Sequence, residues 1–441
     1  MASTVKSCEC TNTSLDIFAV SPTQTSIENG LYVEYHPLAT LTDSGPIEFI
    51  VKGSDDYLDL TNSYLHVQAK ITKADGSPLD AADDNLVAPV NNWLHTLFSQ
   101  VDISLNNTNI STSTNTYGYR SFLETMLNYG KDCKDTQMGL SMYYEGHGTD
   151  FPYTTDDKNE ALQARRSRTK RSKDVDMIGR IHADLFTQDK LLLDNVSLRM
   201  RFVRSKDSFA LLALAPAGDG EGQEVEKYRV KITHASFFVR KVKVNPAIVL
   251  AQAKALQTAT AKYPVKRVVL KVFSVPKSNL NIVQDNIFLT QKPNRLVIAL
   301  VDSRAFNGDY KLSPFEFKHF DINSLALHVD GFQVDFKPNF KTDCYARSYF
   351  SLFAATGTSW KDFGNTISYE DYKLGKSLFC FDLTPSLAGG DMIEIPKATN
   401  IRLEIGFSQP LPEPAHIIVY GELDGMIEID RSRQIITDFT T

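Results

Sequence analysis

This 441-residue chain has no apolar run approaching the about 18 residues that cross a bilayer, so no transmembrane helix is expected. Its first residues, MASTVKSCECTNTS, lack the apolar stretch of a secretory signal, so export by that route is not expected either. Without secretion, the N-x-S/T triplets at Asn12, Asn106, Asn109 and Asn195 carry no expectation of glycosylation. Cysteine is scarce, odd in number and scattered, at Cys8, Cys10, Cys133, Cys344 and Cys380. That fits a reducing compartment better than a disulfide framework. Cys8-Glu9-Cys10 is too tightly spaced for a zinc knuckle. A basic surplus is missing as well: 47 Lys and Arg stand against 53 Asp and Glu, for a net charge of −6. Such a chain does not condense a phosphate polymer by bulk charge, and no strong nucleic-acid binding is expected.

Motifs that carry catalysis are equally scarce. The histidines, at 36, 66, 95, 147, 182, 234, 319, 328 and 416, are isolated along the chain, with no H-x-H or H-E-x-x-H pair. No G-x-S-x-G elbow occurs, and no cysteine has a nucleophile's context. Gly218, Gly220 and Gly222 form a G-x-G-x-G run without the strand-then-helix setting of a phosphate cradle, so they read as a flexible loop. The acid pairs Asp55-Asp56 and Asp83-Asp84 sit beside turns, where Asp bonds its own backbone. Glu145, His147 and Asp150 are close enough in one loop to hold a metal, but loops of this composition are mostly just solvated. No catalytic, cofactor-binding or metal-binding residue is therefore assigned, and no cofactor is expected.

Tryptophan occurs only twice, but 26 Phe and 18 Tyr supply the aromatics that strands favour. Alternating runs recur through the chain: PIEFIVK, SYLHVQAKI, VDISLNNTNIS, IGRIHADLF and, from Asp194, DNVSLRMRFVRS. The last is written again about half the chain later, as TNIRLEIGFSQ from Thr399, with Asn195, Leu198 and Phe202 matching Asn400, Leu403 and Phe407. Between the halves, NPAIVLAQAKALQTATAKYP reads as a helical linker, with Pro246 near its start and Pro264 closing it. Asp330-Gly331 between two alternating runs marks a hairpin. YGYRSFLETMLNYG places Tyr119, Leu123 and Leu127 on one helical stripe, read as an amphipathic helix packed on a core. A helix between the fourth and fifth strands recurs in each half. The chain is thus a degenerate repeat of a β unit of eight or so strands. The expected fold is all-β: two tandem jelly-roll sandwiches with short inserted helices and a helical linker.

The expected division is an N-terminal arm at 1–30, a first jelly roll at 31–244, a linker helix at 245–264, a second jelly roll at 265–430 and a tail at 431–441. The polar segment Glu145–Asp174 is expected to be exposed and to be the first site cut by trypsin. It contains the basic run Arg165, Arg166, Arg168, Lys170, Arg171 and Lys173. That run reads either as a loop balanced by Asp156, Asp157 and Glu160, or as a nuclear-import or anionic-partner patch.

Three stretches carry a wider resemblance: YGYRSFLETMLNYG, GRIHADLFTQDKLLLDNVSLRMRFVRSKDSF and RLVIALVDSRAFNGDYKLSPFEFKHFDINSLALHVDG. They resemble the capsid protein of Maverick/Polinton elements and adintoviruses, from about Tyr57 to Asp430. The resemblance implies a non-enzymatic, double jelly-roll major capsid protein of the lineage that includes the adenovirus hexon. It implies homotrimeric, pseudo-hexagonal capsomers that tile an icosahedral shell with a penton-like vertex protein, in a virion built inside the host cell, with nuclear assembly an open reading. Two rivals stand beside it: a minor vertex protein of the same particle, and a two-domain carbohydrate-binding protein on jelly-roll cores.

Overall fold

The computed structural model describes residues 14–438 except 16, 19, 113, 147–158, 215–227, 386, 388–392, 394 and 396. Among the described residues, three short strands (Val87–Pro89, Leu211–Ala213 and Ile435–Thr437) lie outside a repeated framework of sixteen strands that forms two sandwiches. The first uses β1 (Ile27–Tyr35), β2 (Ile47–Val51), β3 (Tyr57–Lys73), β4 (Phe98–Leu105), β5 (Thr108–Asn109), β6 (Val175–Gly179), β7 (Leu198–Arg204) and β8 (Tyr228–Val244). The second uses β9 (Ala261–Val275), β10 (Asn281–Gln284), β11 (Arg295–Asp302), β12 (Ile322–Val329), β13 (Phe332–Phe336), β14 (Leu378–Asp382), β15 (Ile401–Phe407) and β16 (Ala415–Ile429). The first sandwich has sheets ordered β1-β8-β3-β6 and β2-β7-β4-β5, and the second has β9-β16-β11-β14 and β10-β15-β12-β13. Every strand of the first roll thus has its counterpart eight strands later in the same sheet position. This is the jelly-roll order written twice, as the duplicated sequence requires.

The duplicated strand sits at one position in both rolls, β7 and β15. Its alternation settles the register: Leu198, Met200 and Phe202 are buried in one core, and Leu403, Ile405 and Phe407 in the other. Arg199 and Arg201 face out. The β4–β5 turn places Asn106 and Asn107 at positive φ, and the β12–β13 turn does the same with Asp330 and Gly331. Two residues at positive φ suit the right-handed twist of a hairpin, and Asn, Asp and Gly tolerate that geometry best.

Several expectations need correction. The inserted helices, α1 (Tyr117–Asn128) and the later Ala346–Ala355, lie between the fifth and sixth strands of each roll. The two-residue strand β5 is too short for alternation to reveal. α1 is also not amphipathic in place. Nearly every residue from Tyr117 to Leu127 is buried, including Ser121, Glu124 and Thr125, because both rolls enclose it. The strand expected over IGRIHADLF ends at Gly179, and Asp184–Phe186 is a helical turn.

The first part of the basic run is a helix rather than a solvated loop, while Lys170, Arg171 and Lys173 are exposed beyond it. α2 (Glu160–Thr169) is capped by Asn159, whose side chain accepts from the Leu162 N–H, and it buries Ala161, Leu162, Arg165, Arg166 and Thr169. Arg165 reaches the Pro89 carbonyl through Nε at 3.1 Å, so its charge is taken inward with hydrogen bonding rather than left in water. Glu145 is likewise enclosed by partners. Arg165 and Arg166 are therefore poor protease sites, whereas Lys170, Arg171 and Lys173 are exposed, so the expected exposure of this segment holds only for its end. The middle of that segment, with His147, Asp150, Asp156 and Asp157, lies outside the described residues, as do Cys8, Cys10, Gly218, Gly220 and Gly222.

The linker helix, α3 (Pro246–Ala255), has Pro246 in its first turn and is capped by the Asn245 side chain, which accepts from the Ala247 N–H. It stops well before Pro264, which sits in β9 opposite Met426. β1 begins inside the segment read as an arm, and Ile435–Thr437 pairs with β16 inside the segment read as a tail.

Phe202→Ala and Phe407→Ala should each cost roughly 3–5 kcal/mol, the usual loss for a buried Phe. Arg199 pairs at the surface with Glu48 at 2.8 Å, so Arg199→Ala should cost about 1 kcal/mol or less. Denaturant melts of the three variants check this. Equal losses for Arg199→Ala and Phe202→Ala would mean the faces are misassigned.

Candidate assembly site

The two rolls meet along α1. In an antiparallel pair, residues directly opposite share a face, so register identifies the outer face of the second roll's β9-β16-β11-β14 sheet. Leu270 lies opposite Tyr420, Val297 opposite Tyr420, and Ala299 opposite Ile418. All five are buried, and they share one hydrophobic cluster with Tyr119, Phe122, Leu123 and Met126 of α1. Phe122 stacks on Phe315 at 4.1 Å, and Tyr119 stacks on Phe306 at 5.4 Å. The first roll's inserted helix therefore covers the second roll's outer face.

Buried charges reinforce this seam. Arg120 meets Glu124 at 2.8 Å and Asp184 at 2.6 Å, and Asp184 also accepts from the Val268 N–H of the second roll at 3.2 Å. His182 holds the other Glu124 oxygen at 2.7 Å through Nδ1. Burial alone would raise the Glu124 pKa, but the Arg120 charge and the His182 hydrogen bond outweigh it and hold the carboxyl at about 2. Burial wins at Asp184, which is raised. The His95 ring stands edge-on to His182 at 4.6 Å, and burial, with His182 adding to it, keeps His95 well below the usual histidine range.

A second knot joins the rolls through Glu145, which is held between Lys134 at 3.1 Å and Lys376 at 2.8 Å. Against its burial, these two ammonium groups keep its carboxyl at about 2. Arg433 completes the tie, gripping Asp194 at 2.6 Å. A cleft of 600 Å³ opens along the seam, and two of its wall carboxylates, Glu124 and Glu422, are paired with Arg120 and Arg295.

The same face of the first roll is only partly covered among the described residues, with Tyr32 exposed and Tyr64, His66 and Phe238 half-buried. Tyr64 lies opposite Phe238, and His66 lies opposite Ser236. Glu34 on β1 also faces Phe238, and Tyr32 packs on Tyr64 at 5.6 Å. The sequence gives no hint that these residues meet, yet the sheet gathers histidines that are isolated along the chain. His66 and His234 lie 5.3 Å apart, His36 is 6.3 Å from His234, and Asp176 bonds His66 at 2.5 Å. No group of three or more His, Cys, Asp or Glu among the described residues has metal-holding geometry.

The second roll's own inserted segment comprises α4 (Ala346–Ala355) and the loop after it, which present Phe350 and then Trp360 and Phe363 to solvent, with Trp360 93% exposed. Of the acid pairs flagged by sequence, Asp83 accepts from the nearby Asp80 N–H and binds Lys73 at 3.0 Å, whereas Asp84 holds the distant Arg171 at 2.9 Å.

No protein-family model matches the chain. An uncharacterized Caenorhabditis elegans protein, F54H12.2, is 23% identical over 429 residues, covering 94% of this chain and 99% of that one. Among solved structures, a chain of the Sputnik virophage particle aligns with a TM-score of 0.63 at 12% identity, covering 98% of this chain and 93% of that one. The Faustovirus major capsid protein aligns at 0.59 and 10%, covering 94% and 92%. The mavirus major capsid protein aligns at 0.56 and 12%, covering 98% and 96%. At these identities the likeness establishes the fold, a double jelly roll.

Glu124 and Glu145 titrate lower in the folded chain, at about 2, than their ordinary value of 4.5. Their stabilisation is thus complete above the ordinary value and is lost as pH falls toward 2. The raised Asp184 works in the opposite direction. Calorimetric Tm should fall across this acid window, and Glu145→Gln should flatten the fall while lowering Tm at neutral pH. An unchanged acid slope in Glu145→Gln would remove the seam from the account.

Proposed function

We propose that this chain is a non-enzymatic capsid subunit that associates head to tail, three copies closing a ring of six rolls that tiles a shell. One observation carries the reading. The outer face of one roll is covered inside the chain, and the same face of its pseudo-equivalent roll is only partly covered. In the second roll, an inserted segment of the first roll buries that face. In the first roll, Tyr32 is exposed and Tyr64, His66 and Phe238 are half-buried, and the second roll's inserted segment carries the exposed aromatics Trp360 and Phe363. Repeating the internal contact between chains satisfies both surfaces at once. Such a contact joins two different patches, so it propagates until the ring closes. If each roll turns its neighbour by the same sixth of a circle, closure takes three chains.

The solved neighbours named as major capsid proteins support this role, and the resemblance to Maverick/Polinton and adintovirus capsid proteins supports the lineage and the pseudo-hexagonal capsomer. A vertex protein is implied by any closed icosahedral shell of such rings. The nuclear-import reading of the basic run loses weight, because Arg165 and Arg166 are inside the protein.

One observation favours the carbohydrate-binding rival. Trp360, with Phe350 at 5.5 Å, forms an exposed aromatic platform. Sugar platforms pair such rings with convergent polar groups. Here the neighbour is Lys361 lying over Phe363 at 5.4 Å, which suits a protein surface better.

Mass photometry of the purified chain should give three times its 49.4 kDa. Trp360→Ser with Phe363→Ser should shift that mass to monomer without lowering Tm, and Tyr32→Ser with Phe238→Ser, on the opposite patch, should do the same. A monomeric parent chain, or trimers that survive both pairs, would overturn the reading.

A further inference from the structure

Near the linker helix the chain offers an apolar groove of 570 Å³, a size typical of built binding sites. Its walls include Leu191, Leu193, Ile248, Leu256 and Tyr263. Its floor is tied to α3 by the Tyr57 hydroxyl, which donates to Gln252 Oε1 at 2.6 Å. No residue of α3 is buried, although the helix is mostly Ala, Ile, Leu and Val.

The N-terminal segment leaves from this same place. Ser26 and Ile27 line the groove. The Asn245 N–H donates to the Ser26 carbonyl, and the Gln24 side chain bonds both the N–H and the carbonyl of Ile27, which fixes the exit direction. Leu15, Ile17, Phe18 and Val20 are 70–93% exposed. A short segment with four large apolar side chains in water, beside an unfilled apolar groove that it does not enter, is an interaction surface awaiting its partner.

We infer that the groove receives the Leu15–Val20 segment of a neighbouring copy, so that arms are exchanged between chains. The inference rests on the self-association proposed above and names a second contact of that assembly. Charge supports a protein occupant of this kind. Lys190 and Lys262 stand at the groove, and from Ser7 to Tyr35 the sequence has no Lys, Arg or His but carries Glu9 and Asp16. A segment with no basic residue is poorly suited to an anionic lipid surface, where basic residues supply the attraction. Deep insertion of a neighbour's apolar side chains would also cover α3, which the isolated chain leaves in water.

The test uses the full chain in a Cys8→Ser, Cys10→Ser background carrying Phe18→Cys and Ala259→Cys, the latter at the groove. Mild oxidation should give chain-to-chain disulfides on a non-reducing gel. They should be lost when either new cysteine is omitted, or when Ile17→Asp is added. Mass photometry before oxidation separates the two ideas. Three-chain particles with only within-chain cross-links, or none, overturn arm exchange and leave the ring standing, whereas a monomer overturns the ring itself. Flotation with phosphatidylserine–phosphatidylcholine vesicles that is abolished by deleting residues 1–20 would assign the segment to lipid and overturn the inference.

Discussion

The architecture depends on one contact, the pressing of the Tyr117–Asn128 helix onto the outer face of the second roll's sheet. A sheet covered on one side reads as an alternation, and a sheet covered on both sides reads as a continuous apolar run. The two third strands of the repeat show the difference. β3 alternates, with Leu65, Val67, Ala69 and Ile71 inward and His66, Gln68 and Lys70 outward. β11 does not: Leu296, Val297, Ile298, Ala299, Leu300 and Val301 are all buried. Same position, same fold, different cover. The contrast between these strands is therefore a record, in sequence, of which roll's outer face is covered within the chain and which is not.

Buried charge makes that contact specific. Ion pairs withdrawn from water contribute little net stability, but breaking one partner is costly, so they penalise misaligned alternatives. Arg120, Glu124, Asp184 and His182 interlock at one end of the helix, while Lys134, Glu145 and Lys376 interlock beyond its other end. A hydrophobic seam alone would tolerate sliding. This one fixes the angle between the rolls, and a ring closes only if that angle is held.

How much of this was legible beforehand follows from range. The duplicated strand, the Asp330-Gly331 hairpin and the capped start of the linker are local signals, and each occurs where local chemistry places it. The alternating strands and the duplicated strand carried the fold class and its doubling, and the resemblance pointed the same way. The candidate surface was not legible, because it is a product of pairing: His66 and His234 are distant in sequence and adjacent only across β3 and β8. The arginines of α2 misled for a related reason. Composition reports charge, and only the tertiary structure supplies the Pro89 carbonyl that lets Arg165 go inside. A helix signal was nonetheless present, in the Asn159 cap and the Ala161-Leu162, Arg165-Arg166 spacing.

The central claim is geometric: the contact between rolls inside one chain is repeated between chains around a ring. Single-particle electron cryomicroscopy of the purified protein tests it most directly. The account predicts six-lobed top views with true three-fold symmetry, in which the Trp360 segment of each chain lies over Tyr64 and Phe238 of the next. Particles with two rolls only, or rings in which the Tyr64–Phe238 face points to solvent, would contradict it.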